Sequence, residues 1–184
     1  IICPIGMKKT NRPYHNILII KPGAVGDLLQ MTPVIRALKV YSPEGKISIL
    51  VGSEITATLF KNDPRVTETV VFDRGGRHLT LSSKLDLWKY LHSKNYDLIL
   101  NFQRSNVKTW FLASAAFPCR VLVYHKSKNR TVHAVVNYLE TLMPLGLIPP
   151  DLDLELFLDD EARAFARVFF TSQDLDDKTV IALN

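Results

Sequence analysis

Cysteine is scarce in this chain of 184 residues: only Cys3 and Cys119 occur, far apart and outside any C-x-x-C pair. That excludes a disulfide framework and a cysteine zinc site, and it suits a reducing cytoplasm. Long apolar runs are missing as well. The run Trp110–Phe117 falls well short of the roughly 18 to 20 residues that a membrane-crossing helix needs, and no signal-peptide pattern opens the chain. Membrane contact is therefore expected to be peripheral at most. His15, His78, His92 and His125 show no ligand spacing, and neither H-E-x-x-H nor an acidic cluster of metal-binding pattern is present, so no metal is expected. Internal repeats and low-complexity segments are also absent. The chain opens on Ile1 and stops at the strand-like "TVIALN", so it reads as a piece of something longer.

What is present supports one well-formed core, with 47% hydrophobic residues. The formal charge of +5 and the pI near 9.2 favour an acidic partner. Phosphate, anionic lipid and nucleic acid all qualify, and charge alone does not choose among them.

Short β-rich runs alternate with helical patterns. "NILII" precedes a helix over 27–41, "KISILV" a short helix over 53–61, and "TETVVF" a helix over 81–94. "YDLILNF" then leads to a helix over 105–116, "CRVLVY" to one over 132–143, and "LELFL" to "DDEARAFARVFF". This order predicts an α/β fold, a mostly parallel sheet with helices on both faces. "NILII" and "YDLILNF" are almost continuously apolar, as strands buried on both faces are, so they should be central. In the first helix Leu28, Met31, Ile35 and Leu38 form a core-facing stripe that Arg36 and Lys39 avoid. Residues 120–130 carry Arg120, Lys126, Lys128 and Arg130 without an acid, and residues 151–161 carry six acids without a base. Either run reads most simply as a solvated face, the first alternatively as an anionic-surface patch. "MPLGLIPPDLD" has the composition of a connection.

The turn "KPGAVGDLLQ" joins the first strand to the first helix. It lacks the lysine and hydroxyl residue of a P-loop and the third glycine of a dinucleotide fingerprint. Asp27 also supplies the negative charge that a helix N-terminus attracts, so a phosphate there would meet a carboxylate. Gly23 and Gly26 should permit a tight turn with positive φ and close approach of another molecule. A sugar hydroxyl is a suitable visitor, and an ionised carboxylate at the end of a central strand can accept its proton. Asp27 as a plain helix cap remains the alternative.

The ordered set "ILIIKPGAVGDLLQMTPVIRALKVYSPEGKISILVG", "NDPRVTETVVFDR" and "YDLILNFQ" resembles the N-terminal half of family 9 glycosyltransferases, the ADP-heptose:lipopolysaccharide heptosyltransferases and their relatives. The resemblance runs from about residue 16 to residue 145. It implies a GT-B architecture of two facing Rossmann-like domains, the first holding the acceptor and the second the nucleotide sugar. Residues 1–15 then form an N-terminal extension, 16–150 the acceptor domain, and 151–184 a connection and the start of a truncated donor-binding domain. Asp27 stands where the family keeps its catalytic base, in an inverting displacement that needs no metal or other cofactor. The donor implied is a nucleotide sugar such as ADP-heptose, the acceptor a lipid-linked glycan, and the place the cytoplasmic side of the inner membrane. With most of the donor half absent, the chain should be catalytically incomplete.

Other candidates follow from position. Gln103, Arg104 and Asn106 follow a central strand on the same sheet edge as the glycine turn and are candidate acceptor contacts. Asn101 belongs with them, although relatives often carry an acid there. Lys21 ends the first strand and is a candidate for holding a phosphorylated acceptor. His133 starts the helix after the basic stretch, at a position resembling a recurrent histidine of the family. The competing reading is a Rossmann-like module that binds a nucleotide or phosphorylated small molecule without chemistry of its own. Nucleic-acid binding is disfavoured, since the basic stretch offers only Tyr124 for stacking.

Overall fold

The computed structural model describes residues 13–73, 75–103, 107–125, 132–147 and 151–181. Five parallel strands form one sheet: β1 (Asn16–Ile20), β2 (Lys46–Val51), β3 (Glu68–Val71), β4 (Leu98–Asn101) and β5 (Arg120–Val123). Their spatial order is β3-β2-β1-β4-β5, with Ile17 opposite both Ile47 and Leu98. This is the α/β, Rossmann-like arrangement that the alternation predicts. β1 is central with β4 beside it, and every residue of Ile17–Ile20 and Leu98–Leu100 is fully buried. The chain leaves β1 towards β2 on one side and reaches β4 on the other, so the order reverses between β1 and β4. Open α/β sheets place ligands at such a switch point, at the carboxyl ends of the strands.

Helices α1 (Val25–Leu29), α2 (Thr32–Tyr41), α3 (Glu54–Thr58), α4 (Leu81–Ser93), α5 (Val107–Ser114), α6 (Ala134–Glu140) and α7 (Asp160–Ser172) complete the fold, with a 3-10 turn at Met143–Leu145. Ile17, Ile19, Leu28, Met31, Ile35, Leu38 and Tyr138 pack in one apolar cluster. Leu18, Ile20, Leu87, Leu91 and Leu112 pack in another. The alternation of β1 residues between the two clusters is the period of a strand covered on both faces. Tyr14, ahead of β1, is tied to the fold: its N–H donates to Ser42 Oγ (3.0 Å) and its hydroxyl accepts from Arg120 (3.1 Å).

Three expectations are revised. The helix over 27–41 is two helices, because the chain turns at Gln30 and Met31 before Pro33, which suits the first turn of α2. "LELFL" forms no strand: the Glu155 N–H is spent on Thr32 Oγ1 (3.0 Å) instead of a ladder. Alternate residues Leu152, Leu154, Leu156 and Leu158 stay about half exposed. The acidic run is also more than a solvated face. Asp151 and Glu155 pair with Arg36, and Glu155 also with Arg65, which grips Asp63 through two nitrogens at 2.7 and 2.8 Å. These bonds lay 151–155 across the fold as a strap.

Candidate active site at the switch point

The loop after β1 is built tightly. Lys21 N–H donates to Leu50 O (3.0 Å), carrying the ladder one residue past β1, and Gly23 N–H donates back to Lys21 O (2.8 Å). Ala24 is extended and starts α1 without a side-chain cap, and fully buried Leu28 anchors the helix. Neither glycine of the turn takes a positive φ; among the described residues only Gly146 does so of the glycines. The tight Lys21–Gly23 bond and an immediate helix start make the left-handed conformation unnecessary. Gly23 is needed for space instead, since an added Cβ would lie 2.9 Å from Asp27 Oδ2 and 3.1 Å from Lys21 Cε. A Cβ at Gly26 would meet nothing within 4 Å, so that side of the turn is open.

Asp27 lies in the first turn of α1, where the N–H groups and dipole favour a carboxylate. It does not cap the helix. Its Oδ2 is 3.4 Å from Lys21 Nζ, with the Asp27 side chain 47% and the Lys21 side chain 10% exposed. Lys21 thus holds a nearly buried ammonium beside a carboxylate that still faces water. Its other neighbour is the Tyr138 ring, whose centroid lies 5.1 Å from Nζ. Tyr138 also packs edge-on against Phe102 and Tyr124, at 5.4 and 5.1 Å between centroids. Burial and the neighbouring Tyr138 push the Tyr124 hydroxyl above its ordinary range, while Lys21 pulls it the other way. Tyr124 and Tyr138 are the site's aromatic floor, which sequence reasoning missed. The available signal was Tyr138 on the apolar face of "HAVVNYLE".

Across the switch point, Gln103 Nε2 donates to Pro22 O (3.4 Å), joining the loop after β4 to the glycine turn. Asn101 is buried at 2% exposure, and its side-chain oxygen accepts from Gln103 N–H (3.0 Å). It therefore shapes the turn that aims Gln103. His133 is the exposed N-cap of α6, its Nδ1 accepting from Val135 N–H (3.4 Å). The structure thus brings together Lys21, Gly23, Gly26, Asp27, Asn101 and Gln103. Arg104, Asn106, Lys126, Lys128 and Arg130 lie outside the described residues. Arg120, the one described base of the basic stretch, lies at the amino end of β5, where its guanidinium donates to Pro144 O (2.9 Å) and to the Tyr14 hydroxyl. It is a clamp at the opposite edge of the sheet from Asp27.

No protein-family model matches the sequence, and no curated protein matches it. Solved structures do match. A glycosyl transferase family 9 protein from Veillonella parvula superposes with a TM-score of 0.72 at 23% identity, covering 89% of this chain and 51% of that one. The E. coli heptosyltransferase WaaC with ADP gives 0.59 at 17% identity, covering 85% and 53%. The same enzyme with ADP-2-deoxy-2-fluoro heptose gives 0.55 at 21%, covering 85% and 54%. The chain spans about half the length of these structures, and the likeness shows that it shares the fold of that half.

Proposed function

We propose that this chain is the acceptor-binding half of an inverting glycosyltransferase. On this reading the enzyme moves a heptose or related sugar from a nucleotide-sugar donor, ADP-heptose foremost, to lipopolysaccharide core or a similar lipid-linked glycan. The observation that carries the reading is the Asp27 carboxylate: half exposed, at the switch point, and not consumed by capping. Solved structures of similar fold carry ADP or an ADP-heptose analogue, which supports the donor class.

In the reaction so envisaged, an acceptor hydroxyl approaches over the open side of Gly26 and donates to Asp27. As its oxygen bonds to the anomeric carbon, the proton passes to the carboxylate and the nucleoside diphosphate departs with the electrons of the broken bond. Lys21 holds the carboxylate from behind and offers its remaining N–H groups to the acceptor. The donor is bound by a second half outside this chain, so residues 1–184 alone transfer nothing. The competing nucleotide module fares worse, because a phosphate at this helix start would face Asp27.

The test is Asp27→Asn in the longer protein that this reading requires, assayed with ADP-heptose and a lipopolysaccharide-core acceptor. General-base catalysis is worth about 10² to 10⁴-fold, so turnover should fall by that factor while acceptor affinity holds. Full activity in the Asn variant would remove Asp27 from the chemistry.

A further inference from the structure

Lys21 is a lysine kept from water: 8% of it is exposed, and its Nζ lies 3.4 Å from Asp27 Oδ2. A closed ammonium–carboxylate bond spans roughly 2.7 to 2.9 Å, so this pair is held open. The same Nζ stands over the Tyr138 ring, 5.1 Å from its centroid. A ring face attracts a cation, and does so more strongly once water is excluded. The ring itself is fixed. Tyr138 sits on α6 at 4% exposure and crosses two other rings steeply: Phe102 after β4 (76° between planes) and Tyr124 after β5 (64°).

Asp27 makes no helix cap and is half exposed, so the aim of its carboxylate depends on Lys21. Lys21 in turn is shared between that carboxylate, which faces water, and a ring in the core. The ring therefore governs how far the ammonium closes on Asp27. We propose that Tyr138 is a positioning residue of the transfer site: its ring face holds the Lys21 ammonium and, through it, the aim of Asp27 at the acceptor hydroxyl. The consequence for turnover rests on the transferase reading, whereas the hold of the ring on the ammonium does not. The face of the ring acts here and not its hydroxyl, so phenylalanine should serve as well.

A double-mutant cycle tests it. In residues 1–184, Tyr138→Leu should change the unfolding constant in urea by a factor about five times smaller once Lys21→Met has removed the ammonium. In the longer enzyme, Tyr138→Leu should lower kcat by about 10 to 10²-fold with KM for ADP-heptose unchanged, and Tyr138→Phe should keep the parental kcat. Lys21→Met should lower kcat too, and adding Tyr138→Leu to it should cost nothing further. The Lys21 Hε protons of the parent chain, beside a ring face, should resonate upfield of the usual lysine position, a reading that needs no variant to fold. Unshifted Hε protons, additive changes in unfolding, or an equal loss of kcat with and without the ammonium would overturn the proposal and leave Tyr138 a packing residue. Full activity of Asp27→Asn would remove the transferase reading and this role with it, recognisable because the coupling in urea persists.

Discussion

A methyl group placed on Gly23 would put its carbon against Asp27 Oδ2, Lys21 Cε and, at 3.3 Å, Asp27 Cβ, all side-chain atoms and none of them backbone. Side-chain ends yield cheaply, so Gly23→Ala should leave thermal stability within about 1 kcal/mol of the parent. It should nevertheless displace the carboxylate, and misplacement by about 1 Å can cost on the order of 10²-fold in rate. A calorimetric melt and a turnover assay on the full enzyme separate these effects; unchanged turnover would show that the Lys21–Asp27 pair needs no such fit. At this scale the sequence was informative about identity and poor about company. Asp27 and Gly23 stood out because a glycine turn after an apolar strand is a local pattern. Tyr138 did not, because its meeting with Lys21 joins residues far apart in the chain.

Elements were legible where burial is two-sided. "NILII" and "YDLILNF" carry no polar alternation, and both lie centrally in the sheet as β1 and β4. The acidic strap was illegible because the partners that neutralise it, Arg36 and Arg65, are 115 and 90 residues away from Asp151 and Glu155. A second tie between distant elements binds edge strand β3 to α4. Glu68 accepts from Lys94 (2.9 Å), Tyr90 (2.7 Å) and Ser48 (3.1 Å). Burial alone would raise its carboxyl, but these donors outweigh that and hold it below the ordinary glutamate range. Since the folded value lies below the unfolded one, the stabilisation is complete above about pH 4.3 and fades as the pH drops through the folded value. Burial pushes the Tyr96 hydroxyl up to about 12, so its contribution is complete below about pH 10 and is lost as the pH climbs towards the folded value. Urea melts should therefore show a shallower acid limb for Glu68→Gln and a shallower alkaline limb for Tyr96→Phe. Limbs parallel to the parent's would mean that neither group is coupled to folding.

At the scale of the whole molecule, the glycine turn and the switch point coincide at one sheet edge. No described helix is long and apolar enough to cross a membrane. The α7 helix buries none of its residues, and its apolar face suits a protein neighbour of the kind a second half would supply. The account assigns the nucleotide to that half and the acceptor to this one. Calorimetric titration of ADP into residues 1–184 tests that division most directly. It predicts no saturable binding tighter than about 1 mM; a dissociation constant in the micromolar range would contradict it and make this chain the nucleotide-binding module instead.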